Sequence, residues 1–202
     1  LINMLHGNTQ MKMTAGGFAI IRLKFGSLTQ DAVDNINLIV ETCEKYGLSY
    51  PQSAYLLATT YHETAHTFKP IKEYGGDKYL SKYDTGRLAK ALGNTPQADG
   101  DGIKYAGRGY VMITGYSNYK FAGEQLGIDL INNPDLALEP KYAAEILVKG
   151  SMNGWFTSRK LSDYINDKKK DYINARRVIN SLDKAQLIAS YAVVFERALR
   201  SY

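Results

Sequence analysis

His62-Glu63-Thr64-Ala65-His66 is the stretch on which the reading of this chain turns. If it lies within a helix, His62 and His66 fall one turn apart and could grip a zinc ion, with Glu63 as the general base of a metallopeptidase. Alternatively, Glu63 is itself the catalytic acid of a carbohydrate-cleaving site, and the flanking histidines are incidental. A second carboxylate, Glu73, stands just past the helix-breaking Pro70. Two carboxyl groups facing each other across a cleft are the minimal equipment for hydrolysing a glycosidic bond.

A catalytic zinc site needs three protein ligands and an open position for water. The one further histidine in the sequence is His6. The extended HExxHxxGxxH pattern fails, because Lys69 and Lys72 stand where Gly and His are required. A distant Glu could supply a third ligand, but nothing in the sequence picks one out. The expectation is therefore a site with no metal and no cofactor.

Helical patterning dominates on either side of the motif. Thr29 can cap a helix running to about Tyr46, with Val33, Ile36, Val40 and Cys43 on one face and Gly47 closing it. Ser49-Tyr50-Pro51-Gln52 has the form of a helix start with a Ser…Gln capping box. The helix that follows carries Ala54, Leu57, Ala58, Tyr61 and Ala65 on its buried side. Glu63 emerges at the edge of that stripe, where a cleft residue belongs. Residues 71–110, rich in Gly, Asp, Lys and Tyr, read as loops, short helical turns and at most a small β hairpin. Tyr116–Gly127 and Pro140–Asn153 read as helices, Asn132-Asn133-Pro134-Asp135 as a turn or helix start, and Asp183–Leu199 as the last helix. The expected fold is mainly α, two-lobed around a central substrate groove.

The chain has 202 residues, 45% of them hydrophobic, enough for one domain with its own core. Residues 1–12 read as a tag or disordered start, and residues 13–202 as a single catalytic domain. No apolar run approaches the ~20 residues needed to span a bilayer, and Leu1 to Met13 lacks the pattern of a secretory signal. Cys43 is the only cysteine, which excludes an internal disulfide and favours a reducing compartment for folding. Lys and Arg balance Asp and Glu at 15 each from Leu1 to Trp155, but stand at 10 against 5 from Phe156 to Tyr202. All the net positive charge lies in the C-terminal quarter, which suits an anionic partner such as a membrane or wall polymer.

What raises the carbohydrate reading is the stretch from Asp101 to Thr114. Glycines on both sides of Arg108 permit close backbone approach, a cleft arginine can hold a carboxylate, and Thr114 offers a hydroxyl that can orient a water. His62-Glu63-Thr64, Tyr105-Ala106-Gly107-Arg108-Gly109, Ile113-Thr114 with Asn118-Tyr119, and Gly127-Ile128-Asp129-Leu130-Ile131-Asn132-Asn133-Pro134-Asp135-Leu136 together resemble the family 19 glycoside hydrolases. These are chitinase-type enzymes that include many phage endolysins. The resemblance is ordered from about Tyr55 to Leu138 and extends to Val178-Ile179-Asn180.

The resemblance implies a lysozyme-like helical fold and inverting hydrolysis without a metal, which needs the two carboxyl groups ~6.5–9.5 Å apart. By position, Glu63 is the general acid, Glu73 the general base and Thr114 the residue that helps hold the attacking water. His62, Tyr105, Arg108, Asn118 and Asn180 fall at positions that line or support the sugar groove, with Arg108 closer to a scaffold role. Met112 and Ser181 depart from the family's Gln and Gly. A protonated Glu63 calls for a desolvated position or a nearby negative charge, and Lys69 and Lys72 would favour an ionised Glu73. Chitin and peptidoglycan share β-1,4-linked N-acetylated sugars, so the motif does not choose between them. The lone cysteine and the basic C-terminal quarter favour a monomeric endolysin of the muramidase type. It would be made in a bacterial cytoplasm and released to the wall at lysis, with peptidoglycan as substrate and no nucleic-acid partner. An endochitinase is the alternative, and a dead glycan-binding relative is disfavoured by the presence of both carboxylates.

Overall fold

Thr14, Thr29 and Ser49 each turn a side-chain oxygen onto a backbone N–H three residues on, and each starts a helix. The computed structural model describes residues 10–73, 76–83, 85–94 and 100–202. The chain divides into two compact units, one of Leu1–Phe68 with Leu147–Tyr202 and the other of Lys69–Ile146. Among the described residues, helix is the main secondary structure and strand is confined to one two-stranded sheet, as the patterning leads one to expect. No described helix is long and apolar enough to cross a membrane.

The first unit is built on α1 (Ala15–Phe25), α2 (Gln30–Lys45), α3 (Tyr50–Glu63) and α9 (Ala185–Leu199). The helix α3 is its centre: every residue from Ser53 to Tyr61 is buried, and α9 packs along it. Ile21, Ile36, Leu56, Leu57, Ile188 and Phe195 are completely or almost completely out of solvent. Each such side chain contributes about 1.5–3 kcal/mol. The capping box forms as expected, with Gln52 N–H to Ser49 Oγ at 3.3 Å and Ser49 N–H to Gln52 Oε1 at 3.1 Å.

Helix α1 has no counterpart in the sequence reading. Its Gly16-Gly17 start reads as a helix breaker, but packing demands it. A Cβ on Gly16 would lie 2.4 Å from the Tyr202 carbonyl oxygen, and one on Gly17 would lie 2.5 Å from that of Ala198. The two glycines let α1 meet the end of α9 at backbone distance. Ahead of it, Met11 and Met13 are buried, and Met11 donates its N–H to Glu44 Oε2 at 3.1 Å. The packed chain thus takes in the end of the segment read as a tag. Residues 1–9, His6 among them, lie outside the described residues.

A second departure concerns the end of α3. The helix stops at Glu63, and Ala65 (φ 52°), His66 (φ 71°) and Phe68 (φ 58°) take left-handed backbone without glycine. Thr64 holds the turn: its hydroxyl donates to the Thr60 carbonyl at 2.7 Å and accepts the Phe68 N–H at 2.9 Å. Ala65, expected on the buried stripe, is exposed.

In the second unit, β1 (Ile71–Lys72) pairs antiparallel with β2 (Arg108–Gly109), Ile71 opposite Gly109 and Lys72 opposite Arg108. The strands are far apart in sequence, so the sheet is not a local hairpin. Between them lie α4 (Asp77–Leu80), a 3-10 turn at Ser81–Tyr83, α5 (Gly86–Leu92) and α6 (Asp101–Lys104). Then follow α7 (Tyr116–Leu126), closed by Gly127 at φ 68°, a 3-10 turn at Pro134–Leu138, and α8 (Pro140–Asn153), whose residues from Leu147 on belong to the first unit, all where the sequence places them.

Candidate active site

Glu63 is the last residue of α3, two positions beyond the fully buried run, and keeps 27% of its side-chain surface exposed. Its Oε1 accepts a 2.7 Å ion-paired hydrogen bond from Arg176 Nη1. Arg176 sits in a 3-10 turn (Asn174–Val178), is 2% exposed, and donates from Nε to the Asp183 carbonyl at 2.9 Å. The neighbour of Glu63 is thus a buried cation, not the negative charge or full desolvation that a protonated carboxyl calls for. Arg176 is one of the basic residues that give the C-terminal quarter its net charge, and sequence alone places it on a basic surface. That reading is corrected, because its guanidinium lies in the core of the first unit.

Asn180 follows in the same segment and donates its backbone N–H to the Arg176 carbonyl at 3.0 Å. Its side chain is exposed, as a sugar contact would be, with Oδ1 accepting the Ser181 N–H. His62 is half-buried beside Glu63. Burial pulls its pKa below the usual 6.5, with Arg176 and His66 adding to the effect and Glu63 and Asp183 opposing it. It is therefore the neutral imidazole at neutral pH, able to donate one hydrogen bond and accept another. His66 lies beyond the helix end, its ring stacked on Tyr61 at 4.2 Å and 7°. The helical histidine pair that the peptidase reading requires is not formed, because α3 ends between its two members.

Glu73 directly follows β1 and extends the ladder, donating its N–H to the Gly107 carbonyl at 2.7 Å. Its Oε2 accepts the Gly107 N–H at 3.3 Å, and its Oε1 accepts the Tyr83 hydroxyl at 3.0 Å. A phenol and a backbone amide thus each hold one of its oxygens. Thr114 is half-buried on the other side of the same glycine: a Cβ on Gly107 would lie 3.0 Å from Thr114 Oγ1. The structure thus brings Glu73 and Thr114 to one residue, where any side chain would crowd Thr114 Oγ1 and Met112. Asn118 is exposed on the first turn of α7 and donates from Nδ2 to the Thr114 carbonyl at 2.8 Å.

Two residues assigned to substrate binding belong to the scaffold. Arg108 is 4% exposed, with Nε on Asp135 Oδ1 at 2.9 Å and Nη1 shared among the Lys104 and Ala106 carbonyls and the Tyr119 hydroxyl. Its Nε and Nη1 donors knot the segment before α7 to the Pro134 turn. Tyr105 is 3% exposed, its hydroxyl on the Ile131 carbonyl and its ring against Tyr116 and Tyr119. For Arg108 this is the scaffold role to which the sequence inclines, and Tyr105 has the same supporting place beneath the motif.

The sequence profile of class I chitinases in glycoside hydrolase family 19 matches residues 49–169, more than half of the chain. The chain belongs to glycoside hydrolase family 19. The matched part of this family 19 domain contains Glu63, Glu73 and Thr114, while Arg176 and Asn180 lie beyond it. The acidic 27 kDa endochitinase of Solanum lycopersicum is 40% identical over 58 residues, covering 29% of this chain and 22% of that protein. An endochitinase of Pisum sativum is 38% identical over 86 residues, covering 41% and 26%. The domain thus spans about a fifth to a quarter of the length of these curated relatives. Among solved structures, a bacterial family 19 chitinase is similar at 20% identity and a TM-score of 0.43, covering 94% of this chain and 87% of that one. Chitinase C of Streptomyces griseus follows at 18% identity and 0.39, covering 98% and 74%. Arg176 and Tyr83 are the contacts that sequence reading missed. The sole sequence hint to the former is that Arg176-Arg177 precedes the Asn180 segment.

Proposed function

We propose that this family 19 domain hydrolyses the β-1,4 glycosidic bonds of bacterial peptidoglycan as a muramidase-type endolysin. The observation that carries glycoside hydrolysis is Glu63 itself, half-exposed at a helix end with one oxygen held by a buried arginine. Arg176 fixes the carboxyl plane through Oε1, and the proposed acid role requires Oε2 to take up a proton from solvent before each turnover despite that cation. In the proposed reaction that proton passes to the glycosidic oxygen as the bond to the anomeric carbon breaks. A water held by Thr114 attacks the opposite face of that carbon and gives its proton to Glu73. The product is a reducing end of inverted configuration. Neither step calls on a metal or cofactor.

Peptidoglycan is preferred over chitin for two reasons: the lone buried Cys43, which fits a domain folded in a reducing compartment, and the excess of basic residues after Trp155, which suits an anionic envelope. In this reading the protein is monomeric, made in the host cytoplasm and released to the wall at lysis. The endochitinase names of the relatives favour the second reading, chitin. Mass spectrometry of digests of purified sacculi and of chitin oligomers decides between them. New reducing ends on N-acetylmuramic acid are the expected result. Products from chitin alone would select the second reading, and cleaved peptide stems would overturn both.

A further inference from the structure

Glu73 is held by more than its own strand, and the residues that hold it form a chain through the second unit. The Tyr83 hydroxyl donates to Glu73 Oε1 at 3.0 Å. The Tyr83 carbonyl accepts Nδ2 of Asn94 at 3.0 Å, and Oδ1 of the same amide accepts the Tyr116 N–H at 2.9 Å. Asn94 is 5% exposed, so both ends of a buried amide are used to join two segments. The segment it joins to Tyr83 begins two residues after Thr114. One buried side chain therefore keys the phenol on Glu73 to the backbone that carries Thr114.

Family 19 motifs account for Glu73 and Thr114 but leave Tyr83 and Asn94 without a role. The hydrogen bond between phenol and carboxylate is charge-assisted and so worth more than a neutral one. Together with the Gly107 N–H on Oε2, it places a donor on each oxygen, and the carboxylate can then rotate only by losing one of them. Tyr83 is suited to donating: burial, then the hydrogen bond and charge of Glu73, push its pKa above 10, while Lys82, with Nζ 4.8 Å from its ring, works against that. The phenol therefore keeps its proton throughout the working range. Lys82 and Tyr119, whose pKa is pushed up to about 12 by burial, are the other titratable groups that interact with this pair.

We propose that Tyr83 is a positioning residue for the general base, with Asn94 as the strut that sets it relative to Thr114. The inference rests on the reading of Glu73 as base. Its physical content is that the phenol stabilises the ionised carboxylate in the one rotamer that faces the attacking water.

The test is a kinetic cycle on the full chain with glycan oligomers, using Glu73→Gln, Tyr83→Phe and the double variant. Tyr83→Phe should lower kcat about tenfold with KM little changed. In the Glu73→Gln background the same change should have no further effect. Site-specific Tyr83→3-fluorotyrosine, which keeps ring and hydroxyl, should restore wild-type turnover. An inactive Glu73→Gln with Tyr83→Phe like wild type would overturn the positioning role alone. So would a loss at Tyr83→Phe that adds fully to Glu73→Gln, or one that appears in KM and not in kcat. An active Glu73→Gln would overturn the base assignment and the positioning role with it.

Discussion

Arg176 meets Glu63 at 2.7 Å across 113 residues of sequence, from a position 2% exposed to one 27% exposed. The pair is asymmetric. Arg176 is locked by its second bond to the Asp183 carbonyl and cannot follow a moving partner. Glu63 is at the end of α3, followed by a left-handed turn that Thr64 fixes from both sides. A rigid cation and a rigid helix end thus define where one carboxyl oxygen lies, and the proposed acid role falls to the other.

Glu63→Gln should abolish lysis while leaving the fold intact, since it keeps the shape and removes the donated proton. Loss of general acid catalysis of this kind costs on the order of 10²–10⁴-fold. Arg176→Met should lower activity as well, and should destabilise the protein by roughly 1–3 kcal/mol, less than a fully buried pair because Glu63 is partly solvated. In the Glu63→Gln background the stability cost of Arg176→Met should shrink, because the stranded charge is gone. Urea unfolding and turbidity assays on the four proteins check this. Wild-type lysis by Glu63→Gln would sink the assignment.

Local signals in the sequence located what is local. The Ser49–Gln52 capping box, Gly127 after α7 and the whole of α8 are readable because caps and periodicity act within a turn or two. Glu63 and Glu73 stand out as candidates because one sits in the His62-Glu63-Thr64 motif and the other comes just past Pro70. What is not legible is set by distant partners. Gly16 and Gly17 look like breakers until α9 arrives at backbone distance. Arg176 looks like surface charge until Glu63 is placed against it. Arg108 and Tyr105 look like ligand contacts until the Asp135 carboxylate and the Ile131 carbonyl take up their polar groups. The end of α3 is hidden for a related reason, since Thr60–Thr64–Phe68 bonding stops a helix whose composition would let it continue.

Chelators should leave activity unchanged, and His66→Ala should keep most of it. Its ring stacks on Tyr61 beyond the helix end, so the change removes a contact worth about 0.5–1.5 kcal/mol and no catalytic group. Activity after extended chelation, with metal analysis of the protein, is the measurement. One tightly bound zinc per chain, with activity lost on its removal, would refute the two-carboxylate scheme.

Thr114→Val should reduce kcat about tenfold with a small change in stability. The substitution keeps the branched shape beside Gly107 and the backbone carbonyl that Asn118 uses, and removes only the hydroxyl assigned to the attacking water. Turnover and thermal unfolding measured together separate the effects. Unchanged turnover would make Thr114 a packing residue.

Acid should remove a defined contribution from Glu196. Burial would push its pKa up, but hydrogen bonds from Tyr172, Lys170 and Arg200 more than offset this and hold it below the usual 4.5. A carboxylate whose folded pKa is depressed stabilises above its unfolded value and loses that contribution as pH falls through the folded one. Glu196→Gln should therefore be less stable than wild type at pH 7, with the gap closing below about pH 4. A gap independent of pH would show that shape, not charge, is what Glu196 supplies.

The basic C-terminal quarter should bind the envelope through fewer residues than its sequence offers. Arg176 is buried against Glu63, Arg177 donates to Asn174, and Lys170 and Arg200 are tied to Glu196. Lys168 and Lys169 are exposed in a turn pinned by Asn166, whose Oδ1 accepts both of their backbone N–H groups. Arg197 is exposed on α9. Helix α9 itself packs its apolar face on α3 and α1, so it cannot insert in a membrane without local unfolding. Association should then be screened electrostatics, weakening as salt shortens the Debye length from ~10 Å at 0.1 M. Lys168→Glu with Lys169→Glu should reduce co-sedimentation with sacculi or lipopolysaccharide vesicles and spare hydrolysis of soluble glycan fragments. Lys170 is left intact in this test, because reversing it would set a second carboxylate against Glu196 and disturb the fold. Binding that ignores both salt and these reversals would mean that the lysine turn is only a solvated face.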